Sequence, residues 1–498
     1  MRKELTRRAF IFSTVFSAIS LSSFSRLFAA TSSSITQFLG RPTKTSVTLS
    51  VMSPTSSNVF VEYGYSKTKL TSKSKTYQVL PGNPVNVELT GLKENSLIYY
   101  RISTIDQKKV VSSSTQYSFR TQRNVGSSFS FTVQGDTHPE RKGKMFDDQL
   151  YTVMLGNVLM QKPDFHIMLG DDFSIDPLIS KGAATKENVE QVYLTHRKWL
   201  EGISHTVPVF MVNGNHEQAA AYLLDGTSTN PAILAGSARN KFFPMPAPDT
   251  FYGGDKTIVE GVGLLRDYYS WEWGDALFVT LDPYWHSKNP VDNVAGEAGG
   301  DLSETAKTPS DKTVNTKKSA GNGKTTNLWS IGIGDDQYFW LKSILEKSKA
   351  KYKFVFAHHV MGTGRGAVEV STNYEWGGND PKGQTSFAKE RPNWELPIHD
   401  LMVKNGVTIF FQGHDHIFVT QERDGLIYQS MPNPADDTFS MFNESSYLSG
   451  TKAPNSGHVR VTVSPSSAKV EYFLAARSQD SGRNNLQLAH SYSVKPRS

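Results

Sequence analysis

Hydrophobic and polar positions alternate with a period of two through the first quarter of the chain. "TSVTLSVMS" (45–53), "NVFVEYGY" (58–65), "PVNVELTGL" (84–92), "LIYYRISTI" (97–105) and "TQYSFRT" (115–121) all carry this pattern, which predicts short half-buried strands. Clusters of Ser, Gly, Asn and Lys separate them at the intervals of a β-sandwich, and no helical period competes. From residue 125 the texture changes. Strand-like runs at 128–134, 164–169, 207–212, 351–357 and 407–412 now alternate with segments whose apolar residues recur every three to four positions, at 145–162, 186–203, 335–350 and 394–406. The stretch 268–282 reads as a hairpin. Repeated β-then-α units predict a layered α/β domain. Two polar, weakly periodic insertions, 286–329 and 361–392, are expected to be mobile loops.

Chemistry concentrates where these strands stop. "VQGDTH" ends in Asp136 and His138, "IMLGDD" in Asp171 and Asp172, and "MVNGNHE" in Asn215, His216 and Glu217. "VFAHH" ends in His358 and His359, and "FFQGHDH" in His414, Asp415 and His416. Each fragment alone reads as turn chemistry, and Asp171 with Asp172 equally suits a helix cap. Five metal-capable groups at five predicted strand ends are a different matter, because the carboxyl ends of strands in an α/β sheet line one ligand-binding edge. Residues two apart in an extended segment point the same way. Asp136 and His138, and likewise His414 and His416, are therefore expected to converge.

Composition narrows the metal and the compartment. The chain has 498 residues and no cysteine, so disulfides and thiolate sites are excluded. Carboxylate, amide and imidazole ligands suit Mn, Fe or Zn. The first 30 residues, "MRKELTRRAFIFSTVFSAISLSSFSRLFAA", have a basic start, a short weakly apolar run and small residues before "TSSS". This predicts a signal peptide rather than a membrane span, with an ordinary secretory signal or an uncleaved anchor as the alternatives to the twin-arginine type. Paired Arg7 and Arg8 followed by Phe10 and Ile11 resemble a twin-arginine export signal, so the expected location is periplasmic or extracellular. Residues 1–30 hold five of the 53 basic and one of the 47 acidic side chains. The remainder is nearly neutral, at a formal +2, and shows no basic patch of the kind a nucleic-acid binder needs.

The ordered set "GDTH … GDD … GNHE … AHH … GHDH" resembles the calcineurin-like metallophosphoesterases over about 280 residues. The preceding segment, with "VEYG", "LTGLKENSLIYYRI" and "YSFRT", resembles a fibronectin type III domain, in which Tyr99 or Tyr100 would pin a corner. The pairing looks like that of purple acid phosphatases and their bacterial relatives. The resemblance implies a fibronectin-like sandwich over 31–124, followed by a four-layer αββα domain over 125–494. It also implies two divalent or trivalent metal ions. Asp136, His138 and His416 would hold the first, Asn215, His358 and His414 the second, and Asp171 would bridge them, with His359 as a substitute for His358. One departure stands out. Purple acid phosphatases place a tyrosine three residues after the bridging aspartate and lack a histidine at the position of His138, whereas here Ser174 and His138 stand there. A colourless or weakly coloured protein without iron–tyrosinate absorption is expected.

Two metals about 3.5–4 Å apart clamp a phosphoryl group and make a bridging hydroxide available near neutral pH. Their charge favours a small phosphorylated substrate. His216 is the natural general acid. Asn215, His216, His359 and Arg365 would face substrate, and Asp172, Glu217 and Asp415 would orient histidines. A secreted monoester phosphatase is the leading reading. The alternatives are a phosphodiesterase or nucleotide hydrolase of the same family, and a non-catalytic surface-binding protein.

Overall fold

The alternating pattern of the first quarter folds as a sandwich. In a computed structural model, which describes residues 35–105, 110–289, 291, 328–360, 365–380 and 382–497, residues 36–120 are all-β. One sheet orders Thr36–Gly40, Val47–Met52 and Val85–Leu89, and the other centres on Ser57–Gly64 paired with Leu97–Ile105. Inward positions Leu49, Val51, Val59, Val61, Val87 and Ile102 close a core of their own. The predicted signal peptide lies outside the described residues. So does most of the first insertion, at 290 and 292–327.

The sandwich is bolted to the α/β region. Arg197, fully buried, donates from Nη2 to the Ser50 carbonyl at 2.7 Å and from Nη1 to Ser50 Oγ at 3.1 Å. Phe38 of the first strand meets Phe243 edge-on at 5.0 Å. Tyr100, also fully buried, donates its hydroxyl to the His205 carbonyl at 2.7 Å. That bond takes Tyr100 out of the corner role expected of Tyr99 or Tyr100, since its partner lies outside the sandwich altogether.

The α/β region contains the predicted alternation, numbered here from its first strand. It runs β1 (Phe129–Gln134), α1 (Asp148–Gln161), β2 (Phe165–Met168), α2 (Lys186–Ser204), β3 (Val209–Met211), α3 (Pro231–Phe242), β4 (Tyr269–Trp273) and β5 (Ala276–Thr280). Then come α4 (Gly334–Lys347), β6 (Tyr352–Phe356), α5 (Ile398–Lys404), β7 (Ile409–Gln412), β8 (Phe418–Arg423) and β9 (Leu426–Ser430). The chain closes with β10 (Gly457–Val463), β11 (Ala468–Leu474) and β12 (Leu488–Val494). Asp147 and Thr185 cap α1 and α2 through bonds to the Leu150 and Asn188 amides, as N-cap chemistry requires.

Two sheets form. The first orders β3-β2-β1-β10-β11-β12, with β1, β2 and β3 parallel. In the second, β5, β6, β7 and β9 are parallel neighbours. Side-chain period two explains the layering. Phe354 and Phe356 of β6 point to the core shared with Phe131, Phe165 and Phe278, while Val355 and Ala357 meet α4 and α5 through Tyr338, Leu341, Ile398 and Leu401. The result is the expected αββα stack. The five strands that end in candidate ligands are thus divided, three in one sheet and two in the other.

The second insertion departs from expectation. Its described part, 365–380 and 382–392, contains two short helices, Tyr374–Gly377 and Phe387–Glu390. Trp376 is fully buried, stacks edge-on against Phe410 at 4.9 Å and donates Nε1–H to the Tyr428 hydroxyl at 3.0 Å. An apolar anchor of that size fixes the segment against the second sheet. It is a packed element, not the mobile loop expected from its polarity.

Candidate metal centre

Five strand ends meet at the mouth between the sheets. Asp136, His138, Asp171, Asn215, His216, His358, His359, His414 and His416 are all at least 97% buried there. Asp136 Oδ2 lies 3.1 Å from His416 Nε2, which in turn lies 3.1 Å from His138 Nε2. Asn215 Oδ1 lies 2.9 Å from His358 Nε2, which lies 3.2 Å from His414 Nδ1. Between the two sets, Asp171 Oδ2 stands 3.1 Å from His358 Nε2 and 3.6 Å from His138 Nε2. Two histidine nitrogens at 3.1 Å can share at most one proton, so such a set suits cations better than hydrogen bonds.

The tautomers are held by their outer nitrogens. His358 Nδ1–H donates to the Leu169 carbonyl at 2.8 Å, and His138 Nδ1 meets Glu140 Oε1 at 2.8 Å. Both leave Nε2 with a lone pair facing inward, the arrangement metal-ligating histidines adopt. Electrostatics without a cation are correspondingly tense. Burial pushes His358 down, but Asp171 and Asp136 outweigh it and lift it to about 10. Burial drives His138 and His414 well below the usual imidazole range, aided by Arg141 and Arg365 respectively. Burial would raise the Asp171 carboxyl, yet His358 and His216 hold it low.

Convergence arises differently from the extended-segment expectation. His138, Asp171, His414 and His416 all have positive φ, between 49° and 68°. Such a conformation costs roughly 1–3 kcal/mol per bulky residue and persists where the surroundings over-determine it. Here they do. The His414 amide donates to both oxygens of Asp136 at 2.9 Å, and the His138 amide to the Asp171 carbonyl at 3.1 Å. The turns also split His414 from His416, which join different sets. Close approach demands glycine at two places. A Cβ on Gly214 would lie 2.2 Å from Asp171 Oδ1, and one on Gly413 would lie 2.3 Å from Asp136 Oδ1.

Several residues sit differently from their sequence-based roles. Glu217 orients no histidine. It accepts the Asp171 and Gly214 amides on Oε2, at 3.0 and 2.7 Å, and the Asp172 and Phe173 amides on Oε1, at 2.7 and 3.0 Å. Asp172 accepts from Thr137 Oγ1 at 2.8 Å and Gln134 Nε2 at 3.1 Å. Asp415 accepts from the Tyr447 hydroxyl and the Gly366 amide. Glu217, and Asp415 through the Gly366 amide, organise loop backbone, because buried amides at strand ends lack ladder partners, whereas Asp172 ties side chains together. Arg365 was expected on substrate, but its Nη1 lies on the His414 carbonyl and 3.3 Å from Asp415 Oδ1. In the His358–His359 doublet, His358 faces Asn215, while His359 lies against His414 with Nδ1 3.3 Å from the Tyr284 hydroxyl.

Two residues escaped the sequence reading. Asp176 bonds His216 Nδ1 and accepts from Gln218 Nε2 at 2.6 Å, and Arg141 Nη2 lies 3.1 Å from His216 Nε2. Their only sequence signals are a carboxylate five residues past Asp171 and an arginine three past His138. A guanidinium cannot accept, so His216 Nε2 is the acceptor in this geometry and Nδ1 carries the proton to Asp176. Burial lowers His216, but Asp171 and Asp176 together lift it well above its usual value. Once Arg141 turns away from Nε2, that charge balance favours a second proton on the ring.

The calcineurin-like phosphoesterase family model matches residues 129–418. A structure of PhoD superposes over 93% of this chain and 90% of its own, with a TM-score of 0.60 at 17% identity. A purple acid phosphatase, PPD1, isolated from yellow lupin (Lupinus luteus) seeds superposes over 92% of this chain and 74% of its own, with a TM-score of 0.56 at 16% identity. At these identities the likeness is one of fold. No curated protein matches the sequence.

Proposed function

The chain belongs to the calcineurin-like phosphoesterase family, a hydrolase acting on phosphoester bonds, and from that premise we propose that it is an exported, dinuclear metal-dependent phosphomonoesterase. The observation that carries the two-metal reading is Asp171. Its Oδ2 stands between Asn215, His358 and His414 on one side and Asp136, His138 and His416 on the other. Each set offers nitrogen and oxygen atoms only, fitting Mn, Fe or Zn. Bound there, the metals would supply a water of lowered pKa and polarise the phosphoryl oxygens.

The chain's own residues do the rest. Asn215 contributes a neutral oxygen, so the centre keeps positive charge for an anionic ester. His216 Nε2, 3.9 Å from Asp171 Oδ2, would carry the leaving-group proton once the ring is doubly protonated, with Asp176 fixing the ring through Nδ1. Arg141 points into the same space and would grip a non-bridging phosphate oxygen, which lets His216 take its second proton. Two added positive groups beside the metals favour a dianionic monoester over a diester. Arg365 positions the His414 loop. Export rests on the twin-arginine-like segment. Among the described residues no helix is long and apolar enough to cross a membrane.

The test is initial rates on para-nitrophenyl phosphate and bis-para-nitrophenyl phosphate, with protein loaded separately with Mn, Fe and Zn. A monoester preference abolished by Asn215→Ala is expected. A diester preference abolished by the same change would refute the monoesterase reading and support a phosphodiesterase. His216→Ala should cost about 10²–10⁴-fold on an alkyl phosphate, and far less on para-nitrophenyl phosphate, whose leaving group needs no proton.

A further inference from the structure

Among the described residues, one group of three ligating side chains stands apart from the centre: Asp255, Asp267 and His286. Asp255 follows the short strand Gly253–Gly254 that pairs with β4, Asp267 lies two residues before β4, and His286 lies past the end of β5. The hairpin thus brings three distant positions to one point. His286 Nε2 lies 2.7 Å from Asp267 Oδ2 and 4.0 Å from Asp255 Oδ2. Asp255 and Asp267 are 3% and 0% exposed.

Their hydrogen bonding is incomplete in a telling way. Asp255 Oδ1 accepts the Thr257 amide at 2.8 Å, but Oδ2, the atom facing His286, accepts nothing. Asp267 Oδ2 is satisfied by His286, while its buried Oδ1 likewise meets no donor. A buried carboxylate oxygen without a donor is costly, and two in one cluster are rarer still. The charge is also unbalanced, since two carboxylates face one imidazole. Burial and the facing Asp267 raise the Asp255 carboxyl. Asp282 is pushed to about 7 by burial and by Asp267.

We propose that Asp255 Oδ2, Asp267 and His286 Nε2 bind a divalent transition cation separate from the central pair. Two carboxylates and a neutral imidazole around a 2+ ion are neutral overall, and the ion gives Asp255 Oδ2 the partner it lacks. Imidazole with carboxylate and no thiolate selects the Mn and Zn class, and the 15% exposed edge of His286 leaves room for water to complete the shell. The cation would staple three loop positions together. It would also relieve the charge on Asp282, whose Oδ2 accepts from Asn213 Nδ2 at 2.6 Å two residues before Asn215. The site therefore braces the Asn215 loop from behind.

Metal per chain, measured on full-length protein equilibrated with Mn(II) or Zn(II) and freed of excess, tests this directly. Asp255→Asn with Asp267→Asn, and separately His286→Gln, should each bind one equivalent less than the unmodified protein. Asp136→Asn with Asp171→Asn should lose metal from the centre alone. Adding His286→Gln to that central variant should then remove one more equivalent. An unchanged count in His286→Gln, in either background, overturns the proposal. The partly exposed edge of His286 keeps that variant informative if the double carboxylate change fails to fold. A normal loss on His286→Gln with no loss in the central variant would instead refute the dinuclear reading and leave this site standing.

Discussion

Replacing Glu217 by Gln changes one atom and should dismantle the loop that presents Asp171. Four buried amides converge on its two oxygens at 2.7–3.0 Å. An amide side chain keeps one acceptor and turns the other into a donor. Whichever way it flips, two backbone N–H groups then face an NH2 with no acceptor. Each unsatisfied buried donor costs about 1–3 kcal/mol, so about 2–6 kcal/mol is expected, part of it taken as local rearrangement of residues 171–173 and 214. Asp171 has positive φ and its own amide is one of the four. Loss of the bridging geometry should therefore accompany loss of stability. Burial and the charge of Asp171 push the Glu217 carboxyl up, opposed by the amides. A protonated Glu217 would make Gln nearly isosteric and harmless, whereas four donors require the ionised form. Urea unfolding of the metal-free protein, with metal titration beside it, separates these cases. A change below about 0.5 kcal/mol with unaltered metal affinity would refute the argument.

Asp176→Asn removes a charge that lifts His216, so the alkaline limb of kcat on an alkyl phosphate should move to lower pH, with a loss of about 10–100-fold; a limb that stays in place would separate Asp176 from proton transfer. Gly413→Ala puts a Cβ 2.3 Å from Asp136 Oδ1, and displacing that ligand should cost about 100-fold in rate together with measurable metal loss. In the sandwich, the Glu62 carboxyl is held low mainly by its hydrogen bond from Arg101, with Nε at 2.8 Å. Its contribution is present above the unfolded value of about 4.5 and lost as pH falls through the lower folded value. Both side chains are partly exposed, so this amounts to less than about 1 kcal/mol, and Glu62→Gln should flatten that part of the stability–pH curve.

The sequence by itself determined the alternation and where it stops. Period two placed 97–105 as the strand Leu97–Ile105, to the residue, and helical spacing placed α2 from Lys186 within a residue of its end. It also determined which side chains crowd the strand ends, because a ligand at the carboxyl end of a strand is a local fact. What it could not supply was pairing across the chain. α3 and the closing strands β10 to β12 lacked a distinct signal, and nothing local says that β1, with β2 on one side, takes β10 on the other. The same holds for chemistry. Asp176 and Arg141 acquire meaning only because two turns bring them to opposite nitrogens of His216. Glu217 was expected to hold a histidine and instead clasps amides from two loops. Trp376 sits in a polar stretch yet anchors it, since one large apolar side chain buried against Phe410 outweighs the hydrophilic residues around it. His414 and His416 part company because each takes a left-handed conformation. That conformation is unfavourable in isolation, so only the hydrogen bonds of the assembled mouth, not local sequence preference, could select it.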